Sequence, residues 1–140
     1  MERVLLSGEF DHTLDPKGRV TLPACYREYF RDRAVLIRLP DKEPCVRVYH
    51  PDAWSEFDEK YLEPLTTFGN EDHSWLQRSI YRNRIDADVD RQGRVLIPSQ
   101  HIKELGLSGK VKILGNRTHL EIWAPATLAA LEKEKGGGRA

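Results

Sequence analysis

Residues 15–23 read Asp15-Pro16-Lys17-Gly18-Arg19-Val20-Thr21-Leu22-Pro23, and residues 90–98 read Asp90-Arg91-Gln92-Gly93-Arg94-Val95-Leu96-Ile97-Pro98. The stretches share Asp, Gly, Arg, Val and Pro at matching places, 75 residues apart. The likeness extends both ways. Phe10–Leu14 lies against Ile85–Val89, and Tyr26–Phe30 against His101–Leu105. Ala34–Arg38 then resembles Gly109–Leu114, and Cys45–Tyr49 resembles His119–Trp123, with Pro51 and Pro125 following. Elements that repeat in order along a whole chain are the mark of duplication.

Each copy has a physical reading. Asp at the first turn position and Gly at the fourth, with Pro16 at the second in copy one, suit a type I turn followed by a left-handed glycine. The turn joins extended stretches at 9–14 and 19–22 in copy one, and at 84–89 and 94–97 in copy two. Val20 with Leu22, and Val95 with Ile97, recur at period 2 and should face a core. Pro23 and Pro98 end the strand and suit the start of a helix. Tyr26, Tyr29 and Phe30 form its apolar side in copy one. Ile102 and Leu105 do so in copy two, where Gly106 is the stop. Two more strands follow in each copy, then a closing helix: 52–62 with Trp54, Phe57 and Tyr61 inward, and 127–135 with Leu128 and Leu131.

The fold class expected is α+β, mainly β, with two tandem pseudo-symmetric modules. The first module covers 1–66 (core 8–50 plus the helix 52–62). A connector with a helix covers 67–82, the second module 83–135, and a disordered tail 136–140. Halves of roughly 70 residues bury little core alone, so they should share one core or recruit partner chains.

Composition is that of a globular protein, 39% hydrophobic and 31% charged, with zero formal net charge. That average hides segregation. Seven acids stand against Lys60 in 50–72, and five arginines stand against Asp86, Asp88 and Asp90 in 76–94. Local charge is what a phosphate-binding face needs, so nucleic acid stays open as a partner. No apolar run approaches the ~20 residues of a membrane span, and the N-terminus lacks a signal-peptide core; a cytoplasmic location is expected. Cys25 and Cys45 read as free, buried thiols. The scattered histidines show no ligand spacing, so no metal and no cofactor are expected; His12 and His119 read as partly exposed strand residues.

The paired DxxxR turns carry the chemistry. Arg19 and Arg94 each follow a tight turn, which projects a guanidinium fork suited to guanine edges or phosphate. Lys17, Arg91 and Gln92 stand at the tips as further donors. The alternative is structural: Asp15 and Asp90 pair with those arginines across the turn or cap backbone N–H groups, with Gly18 and Gly93 shaping the turn. Arg27 and Arg31 could reach phosphate. The tryptophans at 54, 75 and 123 read as core or subunit contacts. No partnered His and no oxyanion motif accompany Cys25, and the two aspartates stand on solvent-facing turns, so no catalytic residue and no small-molecule substrate are expected.

At Gly8–Arg19 and on to Pro23, again at Asp90–Pro98, and at Gly115–Arg117 with Glu121–Trp123, the chain resembles the MraZ family over roughly residues 4–134. The resemblance implies fused AbrB-type swapped-hairpin modules, a ring-shaped homo-oligomer (octamer or dodecamer) and a repressor associated with the nucleoid. It also implies binding of double-stranded DNA at direct-repeat boxes upstream of the protein's own division and cell-wall gene cluster, through the DxxxR arginines Arg19 and Arg94. The rival reading is a ring-forming protein-interaction scaffold without sequence-specific DNA binding, docking through the acidic helix at 52–62.

Overall fold

The computed structural model describes residues 4–39, 43–65 and 70–136. Among them the strands are β1 (Glu9–Thr13), β2 (Arg19–Thr21), β3 (Arg33–Ile37), β4 (Val46–Tyr49), β5 (Arg84–Asp88), β6 (Arg94–Leu96), β7 (Lys110–Gly115) and β8 (Leu120–Trp123). The helices are α1 (Arg27–Phe30, after a 3-10 turn at Ala24–Tyr26), α2 (Pro51–Phe57), α3 (Glu71–Tyr81), α4 (Ser99–Leu105) and α5 (Pro125–Glu134). The class is α+β, built round a six-stranded sheet of order β1-β7-β8-β4-β3-β5 and a two-stranded ribbon, β2-β6.

Every ladder between neighbours is antiparallel, and most join one copy to the other. β1 pairs with β7 from Glu9↔Leu114 to Thr13↔Lys110. Its counterpart β5 pairs with β3, from Arg33↔Asp88 to Ile37↔Arg84. β4 meets β8 at Arg47↔Glu121, and β2 meets β6 at Val20↔Val95. Reversing the strand order exchanges the copies, so a pseudo-twofold axis passes through both central pairs. The strands flanking each DxxxR turn therefore do not form a local hairpin ladder. A single bridge, Leu14↔Val20 or Val89↔Val95, links them, and each strand goes on to a partner in the other copy. Period-2 patterning fixes which side chains turn inward but not which strand lies alongside.

The core confirms the shared burial that two short halves require. Val20, Leu22, Phe30, Val46 and Val48 of copy one pack with Val95, Ile97, Leu105, Val111, Ile113, Leu120 and Ile122 of copy two in one cluster. A second cluster, Val35, Ile37, Tyr49, Trp54, Leu62 and Ile80, fills the space between the sheet and α2 and α3. A third, Cys45, Trp123 and Leu128, lies under α5. Strands in the middle of the sheet are thus covered on both faces, and all of Leu120–Trp123 is buried.

Several local expectations shift. Pro23 and Pro98 occupy the N-cap, with extended ψ of 134° and 135°, while Pro51 and Pro125 take the first helical turn. The helix expected over 52–62 is α-helical only to Phe57 and continues as a π turn over Asp58–Leu62, then a 3-10 turn at Glu63–Leu65. Apolar residues three and four apart fit either winding. The connector expected over 67–82 falls partly on residues 67–69, outside those described. Within that connector α3 begins at Glu71, because Asn70 caps it by accepting from the His73 N–H. Of the tail, Gly136 is described; 137–140 are not. Cys25 is exposed, since its 3-10 turn directs Tyr26 and α1 directs Phe30 inward; Cys45 is buried as expected.

Arg31 ends α1 at φ 58°, ψ −108°, where copy two ends α4 on Gly106 at φ 65°. A side chain at such an angle is strained. Arg31→Gly is expected to raise the free energy of unfolding by about 1 kcal/mol. The urea midpoint checks this; an unchanged or lower midpoint would contradict it.

Candidate nucleic-acid interface

The two DxxxR turns have the same construction. In the first, the Gly18 N–H donates to the Asp15 carbonyl at 2.9 Å and the Asp15 N–H to the Arg19 carbonyl at 2.9 Å. Asp15 Oδ1 accepts from the Lys17 and Arg19 N–H groups at 2.9 and 2.8 Å, and Oδ2 accepts from Arg19 Nε at 2.8 Å. In the second, Asp90 Oδ1 accepts from Gln92 and Arg94 N–H at 2.9 Å each, and Oδ2 from Arg94 Nε at 2.8 Å. Each aspartate therefore does both things the sequence left open: it caps the turn backbone and aims its arginine. The guanidinium bonds its aspartate through Nε and not through its two terminal amino groups.

The backbone N–H of the arginine is the largest influence on each aspartate; with the arginine side chain and the N–H of Lys17 or Gln92 it outweighs the opposing effect of burial and holds Asp15 and Asp90 below the ordinary carboxylate range. A carboxylate kept charged and fully engaged is unsuited to general-acid work.

The glycines explain why the turns sit so close to the body. Gly18 has φ 84° and Gly93 φ 80°. A Cβ on Gly18 would stand 3.1 Å from Ile102 of α4; on Gly93 it would stand 2.6 Å from Arg27 Nε of α1. Each turn is thus seated on the helix of the other copy. The ribbon is extended by Ile97 N–H donating to Gly18 O at 2.9 Å and Leu22 N–H to Gly93 O at 2.8 Å.

Pairing β2 with β6 brings the two signature arginines together. Val20 and Val95 are 0% exposed and face the core, so the alternating residues Arg19, Thr21, Arg94 and Leu96 share the outer face. The register sets Arg19 opposite Leu96 and Thr21 opposite Arg94. Arg19 and Arg94 are then diagonal neighbours, about 7–8 Å apart. Lys17 and the Arg91-Gln92 tip lie at opposite ends of the ribbon, roughly 20 Å from each other at ~3.3 Å per residue. The nine residues that the sequence assigned to the DxxxR turns all belong to this ribbon and its turns. Sequence reasoning missed Thr21 and Leu96, which alternation with Val20 and Val95 could have placed outward; the β2–β6 pairing had no local signal. Arg31 and Arg27 border a cleft of about 340 Å³ beside the second turn, with Arg91 and Gly93.

Elsewhere, Glu121 is 4% exposed at the centre of the sheet. Burial opposes its charge, but hydrogen bonds from His119, Asn116 and Trp123 outweigh burial and hold it at about 2. The distances are 3.2, 2.9 and 3.0 Å. His119 is therefore buried and bonded, not partly exposed as its sequence position suggests, because β8 is covered on both faces. Glu43, Cys45 and Glu121 lie within 4.8 Å of one another. Arg47 already grips both Glu43 oxygens, at 2.8 and 2.9 Å, and burial pushes the Cys45 thiol up. The cluster reads as a satisfied polar core, not a metal site. A depressed carboxyl stabilises the fold above its unfolded value, near 4.5, and that contribution is lost as pH falls toward 2. Its size is on the order of 3 kcal/mol. Glu121→Gln should flatten the acid limb of the stability profile between those values in urea titrations; an unaltered limb would contradict the assignment.

The fold and the twin turns define a class: a duplicated, intertwined α+β protein that presents two aimed arginines on a β-ribbon. Comparison with known proteins agrees. The family described as "MraZ protein, putative antitoxin-like" matches residues 5–71 and 80–136. A protein of Thermomicrobium roseum named Transcriptional regulator MraZ is 33% identical over 123 residues, 88% of this chain and 84% of its own length. Proteins of the same name from Roseiflexus sp. and Caldanaerobacter subterraneus subsp. tengcongensis are each 36% identical, over 84% and 86% of this chain and 80% and 81% of theirs. The chain belongs to the MraZ family.

Proposed function

We infer that this chain is a DNA-binding transcriptional regulator, a repressor whose reading surface is the outer face of the β2–β6 ribbon. The observation that carries this is the convergence of Arg19 and Arg94 on one face, each locked through Nε with its terminal donors free for an outside acceptor. A two-stranded ribbon fits the major groove, whose guanine edges accept from an arginine fork. A separation of about 7–8 Å spans roughly two base steps. The tips, with Lys17 at one end and Arg91 and Gln92 at the other, would meet phosphates on the groove walls, contacts that position the ribbon.

One subunit offers few contacts, so tight binding calls for several. Trp75 (63% exposed), Leu76 and Tyr81 on α3 are exposed large side chains, as is Tyr61, which the sequence placed inward and the π turn leaves outside; they are available for contacts between subunits of a ring. Ring neighbours present the same face in the same sense, which suits direct-repeat boxes upstream of the protein's own division and cell-wall gene cluster and raises avidity without new contacts. The nucleoid in the cytoplasm is the place of action on this reading. Among the described residues no helix is long and apolar enough to cross a membrane. In the scaffold alternative Trp54 and Phe57 are the docking stripe; they pack instead against Tyr49.

The test is fluorescence anisotropy with the DNA just upstream of the gene and with scrambled DNA, at several salt concentrations. Specific binding whose affinity falls steeply with salt is expected. Equal affinity for scrambled DNA, or affinity indifferent to salt, would contradict the reading.

A further inference from the structure

The ribbon's pseudo-twofold symmetry raises a question that the arginines cannot answer. Two identical half-ribbons would read a palindrome, whereas a direct repeat has a direction. The residues that break the symmetry on the outer face are Thr21 and Leu96, which occupy equivalent places. Leu96 is 58% exposed although both its neighbours, Val95 and Ile97, are buried. Its side chain leans toward the first turn, with Cδ1 3.7 Å from the place a Cβ on Gly18 would take, directly across from Arg19. An isolated exposed leucine is ordinary on a protein surface. This one stands opposite Arg19 and two residues from Arg94, on a strand whose outward position in the other copy is a threonine.

Resting on the DNA reading above, we propose that Leu96 is a specificity-determining residue that packs on the C5-methyl group of a thymine next to the base addressed by Arg19, and so fixes which way the ribbon lies along its site. Apolar side chains recognise thymine by this methyl, the one apolar group that the major groove displays. On the other half-ribbon Thr21 combines a methyl with a hydroxyl beside Arg94, so the two ends do not accept the same base equally. The tips reinforce the difference, with Pro16-Lys17 at one end and Arg91-Gln92 at the other. Leu96 makes no contribution to the core, so its replacement leaves the fold intact.

The experiment pairs a protein change with an atomic change in DNA. Duplexes of the upstream fragment are made with deoxyuridine in place of each thymine in turn, which removes only the methyl. Wild type is expected to lose about fourfold in affinity at one position per box, the effect of burying one methyl group. Leu96→Ala should lose a similar factor on unmodified DNA, keep its thermal midpoint, and show no further loss with deoxyuridine at that position. The proposal is overturned if no thymine position matters to wild type, or if the deoxyuridine penalty persists undiminished in Leu96→Ala. Failure of wild type to distinguish the fragment from scrambled DNA would instead overturn the reading of the face, and this proposal with it.

Discussion

Replacing Arg19 and Arg94 together by alanine is expected to remove the proposed specific DNA binding while the protein stays folded and its size in solution is unchanged. Each arginine supplies a fork whose loss at a guanine edge is expected to weaken binding about 5- to 150-fold, and the double variant should fall to the level of scrambled DNA. Stability should change little, because both ion pairs are open to solvent, with side chains 27–38% exposed. Anisotropy and thermal melting measure the two effects separately. Retained specific binding would mean that the arginines serve the turns alone. The conservative change Arg19→Lys is expected to recover little specificity, since an ammonium cannot bridge two acceptors while also bonding Asp15.

A second large effect separates two adjacent residues of one strand end. Ile97→Ala is expected to cost about 2–5 kcal/mol, because Ile97 is 1% exposed in the cluster that both copies build. Leu96→Ala is expected to change stability by less than about 0.5 kcal/mol. Domains of this size have stabilities of about 5–15 kcal/mol, so the first variant sits near the threshold of folding. Chemical denaturation of both variants gives the comparison. Comparable losses would show that the ribbon's outer face is buried in the working molecule, which would exclude it as a DNA surface in that state.

These contrasts also show what the chain discloses by itself. The Asp15–Pro23 and Asp90–Pro98 repeat was enough to place the turns and to orient Val20, Leu22, Val95 and Ile97 inward, since both rest on short-range rules of turn geometry and period-2 burial; the shortness of each half left a shared core or partner chains as the choices, and the shared core is the one found. The exchange of strands was not legible in the residues. β1 has the same alternation whether it pairs with β2 or with β7, because pairing partner is a long-range property that local patterning does not encode. That gap hid the most useful feature of the site, the diagonal approach of Arg19 to Arg94. His119 was misjudged for the same reason: alternation allows an outward place, but the middle of a sheet covered on both faces has none. Leu96 is a different case: its outward place follows from alternation with Val95 and needed no knowledge of the pairing.

Amide hydrogen exchange, with and without the upstream DNA, tests the central claim most directly, because it reports on every segment at once whatever the size of the assembly. Protection is predicted in peptides covering residues 15–22 and 90–97, with the α2 and α3 surface unchanged. Protection confined to α2 and α3, or none in either turn, would contradict it.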